Sequence, residues 1–248
     1  MRVLLLGGTT EASALAQTMA QTAIDAVFSY AGRTDSPVEQ PLPTRTGGFG
    51  GATGLADYIT AEHITHVIDA THPFAAQISE NAVAACKITN TPLIAYERAA
   101  WTAQPGDIWI DVADTDAAVA ALPVDPARVF LAIGKQTLAA FAAKPQHFYL
   151  LRLVDAANEP LPLPNAKVIV DRGPFTAKGD LALIGSHAVT HIVAKNAGGK
   201  GASAKLQAAR QLQLPVIMIA RPAISDRPIA SNVVGVMDWL HHSARLGV

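Results

Sequence analysis

The stretch Val3-Leu4-Leu5-Leu6-Gly7-Gly8-Thr9-Thr10-Glu11-Ala12 decides the fold. Four consecutive apolar residues, stopped by two glycines, suit a strand buried on both faces. Beyond the turn, Ala12, Leu15, Ala16 and Met19 recur at helical spacing, the stripe of a helix lying on a core. Strand, glycine turn and helix together open a parallel α/β sheet. The helix N-terminus offers backbone amides and a positive dipole end, which suit phosphate. A dinucleotide-binding turn reads G-x-G-x-x-G/A, and here Gly7, Thr9 and Ala12 stand at those places. The match is partial, and a plain strand–helix turn capped by Thr9 or Thr10 fits the same residues.

The alternation continues along the chain. Ala26–Ala31, His66–Ala70, Pro92–Ala95, Ile108–Val112, Val129–Ile133, His147–Val154, Val168–Val170, His191–Ala194 and Val216–Ile219 also read as buried strands. Phe74, Ile78, Ala82 and Ala85 form a second helical stripe, and Leu206, Ala209 and Leu212 a third. So many strands exceed what one sheet of this length holds. The segment Glu97–Asp107, with Trp101, Pro105 and Gly106, reads as a crossover. The expectation is an α/β chain of two Rossmann-like, doubly wound parallel-sheet domains, residues 1–100 and 101–248, with the active site in the cleft between them. In such folds ligands sit outside the carboxyl ends of the strands.

Composition narrows the class. The chain has 248 residues, of which 50% are hydrophobic and 16% charged, a core-rich balance that excludes a disordered chain. Nineteen basic against twenty acidic residues give a net charge of -1, which argues against a nucleic-acid binder. The single cysteine, Cys86, can build neither an internal disulfide nor a cysteine zinc site. His66 and His72 flank one strand and cannot share a metal, so no metal site is expected. The apolar run at residues 3–6 is too short for a signal peptide, and no stretch reaches the roughly 18 apolar residues of a membrane helix. The expected location is the cytoplasm, with no membrane partner.

Function is sought in the loops after the strands. Ala31-Gly32-Arg33-Thr34 follows the second strand, where an acidic residue binds a ribose 2′-hydroxyl and an arginine accommodates a 2′-phosphate. Arg33 with Thr34 therefore favours NADPH over NADH. The four glycines around Phe49, in Thr46–Ala52, suit close backbone approach to a flat or charged ligand, or a flexible surface loop. Asp69-Ala70-Thr71-His72-Pro73-Phe74 runs from a strand into a helix, with Pro73 suited to the first helical position. His72 is the candidate general acid. In the second half, Lys135, Arg152, Arg172, Lys195 and Arg221 each end or follow a strand, and Lys205 lies in the helix after one. A cleft lined this way attracts a polyanion. Neither a Walker A loop nor a G-x-S-x-G nucleophile elbow occurs.

These residues resemble one family. LLLGGTTEA at Leu4–Ala12, AGRT at Ala31–Thr34, GGFGG at Gly47–Gly51 and IDATHPFAAQIS at Ile68–Ser79 carry the likeness. ERAAW at Glu97–Trp101, IGKQ at Ile133–Gln136, RGPF at Arg172–Phe175 and KNAGG at Lys195–Gly199 continue it in order. The chain is similar throughout to the precorrin-6A reductase family, CobK/CbiJ. That family more often has Ser at Ala197 and Arg at Lys135. The resemblance implies hydride transfer from NADPH to a ring double bond of the tetrapyrrole precorrin-6A, giving precorrin-6B in cobalamin biosynthesis. It implies cofactor contacts from Gly7, Gly8, Thr9, Thr10, Glu11, Arg33, Thr34, Gly48, Gly50, Gly51, Asp69, Thr71, His72 and Pro73. Lys195, Asn196 and Gly198 are implied to close over the cofactor. Arg98, Lys135, Arg152, Arg172 and Lys205 are implied to hold substrate carboxylates. It leaves room for transient contact with neighbouring pathway enzymes. The competing readings are a cobalt-precorrin-6A reductase using NADH, another NADPH-dependent reductase of a conjugated ring or enone, a non-catalytic NADP-binding module, and an S-adenosylmethionine methyltransferase. The last needs no 2′-phosphate site, so Arg33-Thr34 argues against it.

Overall fold

The computed structural model describes residues 1–32, 37–155 and 160–245, without the side chains of residues 244 and 245. In chain order the first elements are β1 (Arg2–Leu6), α1 (Thr10–Gln21), β2 (Asp25–Tyr30), β3 (Thr44–Thr46), α2 (Gly51–Ala61), β4 (His66–Asp69), α3 (Ala76–Thr89) and β5 (Leu93–Tyr96). There follow β6 (Ile108–Val112), α4 (Thr115–Ala120), β7 (Arg128–Ala132), a 3-10 helix (Leu138–Ala143), β8 (Phe148–Leu153), β9 (Ala166–Val170), α5 (Ala177–Ser186), β10 (His191–Lys195), α6 (Ala204–Gln211) and β11 (Pro215–Ile219). The chain ends with β12 (Ile229–Ala230) and α7 (Val233–Arg245).

Two compact units result. The first holds residues 1–99 and 223–248, the second residues 100–222. The units part near residue 100, but the expected second domain of residues 101–248 needs a correction: residues 223–248 group with the first unit instead of completing the second. Each unit is built on a six-stranded, all-parallel sheet with helices against it.

The first sheet has the order β3-β2-β1-β4-β5-β12. This is the 3-2-1-4-5-6 order of dinucleotide-binding sheets, with β12 in sixth place. Strand β1 shows why it forms. Val3 and Leu5 join α1 and α7 in one core, through Ala12, Leu15, Met19, Val236 and Leu240. Leu4 and Leu6 join α2 and α3 in another, through Leu55, Ile59, Ala82 and Ala85. Alternate side chains of one strand thus fill two cores, so a continuous apolar run is needed.

The second sheet has the order β6-β11-β10-β7-β8-β9. Counted from β7 it repeats the pattern of the first, with its sixth place filled by β6, which precedes the run. One core lies under α5 and α6, where Phe130, Leu150, Ile192 and Met218 meet Ile184 and Leu206. The Tyr149 hydroxyl donates to the carbonyls of Phe141, at 3.0 Å, and Lys144, at 2.9 Å, tying the 3-10 segment to β8.

Ten strands match the sequence reading to within a residue or two. The two missed, β3 and β12, span three and two residues and have no apolar run. Pro73 does not open α3, which begins at Ala76. It occupies the second place of a tight turn closed by the Ala75 amide donating to the His72 carbonyl at 2.7 Å, a place that proline's fixed φ favours. Among the described residues no helix is long and apolar enough to cross a membrane.

Burial lowers the pKa of three histidines. His147 is fully out of water, and its Nδ1 accepts the Ala127 amide at 3.0 Å. Burial pulls its pKa down, helped by the charge of Lys144. Burial likewise lowers His66, which meets Trp239 edge-on at 5.5 Å, and His191. A base with a depressed folded pKa stabilises the fold above its unfolded value of about 6.5, and that contribution is lost as pH falls below it. Thermal melts between pH 8 and 5 should show a flat unfolding temperature down to about pH 6.5 and a fall below it. The acid-side fall should be shallower in His147→Gln, although that variant is less stable at neutral pH.

Candidate functional site

In the first sheet the order reverses between β1 and β4, and the turns leaving these strands face each other there. The β1–α1 turn is shaped by packing. A Cβ on Gly7 would stand 2.1 Å from Cζ of Phe28, so only glycine lets β1 leave the sheet against β2. Gly8 has φ +114°, which disfavours any side chain, and the space where a Cβ would lie is open. Thr9, not Thr10, caps α1, its Oγ1 accepting the Ala12 amide at 3.1 Å. The same hydroxyl donates to the Ala70 carbonyl at 2.8 Å. One side chain therefore joins the turns after β1 and β4.

The charges at this edge are paired. Glu11, in the first turn of α1, meets Arg98 at 2.6 Å. Its negative charge is thus neutralised where the helix dipole invites an anion. Asp69, at the end of β4, is buried and accepts the Thr71 amide at 3.1 Å and the Thr71 hydroxyl at 2.6 Å. Its other oxygen lies 3.9 Å from Arg227, which also pairs with Glu97. Glu97 and Arg98 are the two residues after β5. Exposed His72 stands in the turn after β4, its Nδ1 accepting the Phe74 amide at 3.2 Å. Cys86 is buried nearby on α3, and burial with the Asp69 charge pushes its thiol up to about 12, too high for a thiolate nucleophile.

The glycine-rich loop is braced by one arginine. Arg45, on β3, donates to the carbonyls of Gly47, at 3.0 Å, and Gly48, at 3.3 Å, and to Ser29 Oγ at 2.8 Å. Its guanidinium lies 3.9 Å from the Phe49 ring centre, a cation–π contact. Gly50 precedes α2 in a left-handed conformation, and Gly51 is the first residue of that helix. Arg33 and Thr34 lie outside the described residues.

The second unit carries its own set of strand-end residues. Lys195 ends β10, and burial lowers its pKa. The Asn196 side chain is spent on Trp101, accepting its amide at 2.7 Å and donating to its carbonyl at 2.9 Å. Trp101 Nε1 donates to the Gly199 carbonyl at 2.8 Å. Arg221 donates to the carbonyls of Asn196 and Ala197 at 2.9 and 3.1 Å. The loop containing Gly198 is therefore pinned from two sides. Of the expected substrate cations, Arg152 is buried against Asp180 and stacks on Phe175 at 3.6 Å. Lys205 is buried, its Nζ donating to the Ala202 carbonyl and lying over the Trp101 ring. Lys135 is exposed, and Arg172 is exposed with Asp155 at 3.5 Å. Arg45, Trp101 and Arg227 were not anticipated as site-shaping residues. Trp101 ends the ERAAW motif, but its partners Asn196 and Gly199 lie far along the chain; Arg45 and Arg227 stand in no such motif, and the carboxylates that meet Arg227 come from β4 and the residues after β5.

The sequence profile described as precorrin-6x reductase CbiJ/CobK matches residues 2–241. This chain belongs to the CbiJ/CobK family. A precorrin-6A reductase of Rhodobacter capsulatus is 65% identical, over 96% of this chain and 95% of that one. One from a Sinorhizobium species is 45% identical, over 97% and 93%. A solved structure of a CobK precorrin-6A reductase superposes with a TM-score of 0.94 at 64% identity, covering 98% of this chain and 96% of that one. In this CbiJ/CobK chain the β1–α1 turn depends on the double use of one hydroxyl. Thr9→Val should lower stability by about 1–3 kcal/mol in urea unfolding, the loss of a cap and a buried hydrogen bond, and Thr9→Ser should recover most of it.

Proposed function

We propose that this chain reduces a ring double bond of precorrin-6A, giving precorrin-6B in cobalamin biosynthesis. Hydride and a proton add across one C=C bond. The observation that carries the reading is the β1–α1 turn of a CbiJ/CobK fold: Gly8 leaves open space at a helix N-terminus, and Arg98 cancels the only acidic charge in that helix's first turn. These residues fit the pyrophosphate of a dinucleotide. A reduced nicotinamide, when bound there, supplies the hydride.

In this reading Gly7–Glu11 hold the pyrophosphate and Arg33 with Thr34 select the 2′-phosphate of NADPH. Gly48, Gly50 and Gly51 offer backbone to the adenosine side. Asp69, Thr71 and Pro73 act by shaping the turn that carries His72. The Phe74 amide donating to Nδ1 selects the His72 tautomer with its hydrogen on Nε2. Lys195, Asn196 and Gly198 supply a preorganised second loop. Arg98, Arg152 and Lys205 are held against internal partners and largely withdrawn from water, so contact with substrate carboxylates is assigned to the exposed Lys135 and to Arg172, which is exposed beside Asp155. The metal-free ring is favoured because both relatives described above carry that substrate in their names. The cytoplasm is the compartment read from the charge-balanced, single-cysteine composition.

Anaerobic turnover of precorrin-6A with NADPH and NADH in parallel tests this. NADPH should be oxidised well above NADH, and Arg33→Ala should erase most of the difference by raising KM for NADPH at least tenfold, as expected for a lost phosphate fork. NADH oxidised alone would keep the reaction and overturn the cofactor assignment. No oxidation of either, with turnover of the cobalt-bearing ring, would overturn the substrate.

A further inference from the structure

Arg227 lies in the segment that returns from the second unit to β12, outside every motif the function absorbs. Its side chain is 6% exposed, as buried as a core residue. A buried guanidinium needs counterions, and two are present: Asp69, at the end of β4, and Glu97, just after β5. Arg227 Nε is buried without a hydrogen-bond partner, so the geometry serves the two carboxylates at the cost of one donor.

The contacts around it close a ring. Glu11 binds Arg98, whose neighbour Glu97 binds Arg227. Arg227 faces Asp69, whose neighbour Ala70 accepts from Thr9, two residues before Glu11. The turns after β1, β4 and β5 are thereby linked through one residue of the C-terminal return. That return is itself anchored. The Ala95 amide donates to the Pro228 carbonyl at 2.8 Å and the Glu97 amide to the Ala230 carbonyl at 3.0 Å. Ser225 donates from its amide and hydroxyl to Glu80 on α3, at 2.8 and 2.7 Å.

We propose that Arg227 is a positioning residue for the dinucleotide site, the clasp through which the C-terminal return holds the β4 turn against the phosphate-binding turn. The inference rests on the function proposed above. The ring fixes the two turns before ligand arrives, so binding does not have to order them. Opening it should weaken cofactor binding while leaving the chemical step, at saturating cofactor, nearly intact.

The test titrates NADPH and NADH into the full chain, read by nicotinamide fluorescence, together with thermal melts and steady-state KM and kcat. Arg227→Gln should raise the NADPH Kd and KM at least tenfold with kcat within threefold, and Arg227→Lys should recover much of the affinity. Glu97→Gln, at a less buried position than Arg227, opens the same ring and should raise Kd severalfold; it decides the matter if Arg227→Gln does not fold. Ser225→Ala removes the hydroxyl half of the anchor on Glu80 but leaves the backbone half and the ring closed, and should lower the melting temperature slightly without moving Kd. A folded Arg227→Gln or Glu97→Gln with the parent's Kd overturns the clasp, as does a fall in kcat at unchanged Kd. A parent chain that binds neither nucleotide overturns the functional reading itself, and the clasp with it.

Discussion

Val3, Leu4, Leu5 and Leu6 bury completely on the two faces of one strand, and the first unit is organised by that fact. Helices must cover both faces, α1 with α7 and α2 with α3. Strand β1 is thereby placed in the middle of its sheet, where the order reverses toward β4. The turn leaving it is forced as well, since Phe28 of the neighbouring strand occupies the space a Gly7 side chain would need. Core packing and turn geometry are one constraint here: the close approach to Phe28 that requires glycine at position 7 also shapes the turn at the helix N-terminus.

The carboxyl edge of this sheet is rich in charge yet nearly balanced. Glu11 with Arg98, and Asp69 and Glu97 with Arg227, are ion pairs between segments far apart in the chain. Isolated surface pairs contribute little, but pairs withdrawn from water lose much if one member is removed. Their use at this edge is geometric. They tie the loops after β1, β4 and β5 to one another. In the second unit hydrogen bonds from Trp101 and Arg221 do the same for the loop after β10.

The sheets share one topological idiom. In each, five strands follow the dinucleotide-binding order and the sixth place is filled from outside the run, by β12 in one and β6 in the other. Both sixth strands cover an edge that would otherwise expose unpaired backbone. Because β12 is borrowed from the far end of the chain, residues 223–248 bring Arg227 to a site that the first hundred residues otherwise build.

The sequence by itself determined the class, the strands of the two sheets apart from β3 and β12, and the strand-end loops that hold the candidate site. Periodicity and apolar runs are local, and burial on one or two faces writes them directly into the chain. The stripe Ala12, Leu15, Ala16, Met19 is the buried face of α1 residue for residue. Tertiary structure alone decided where the C-terminal segment goes, which cations remain exposed and which are paired inside. A two-residue strand has no period to read, and an arginine's sequence neighbours do not reveal whether a carboxylate from another strand will meet it. Arg152 and Arg172 look alike in the chain; only packing buries the first against Asp180 and leaves the second at the surface.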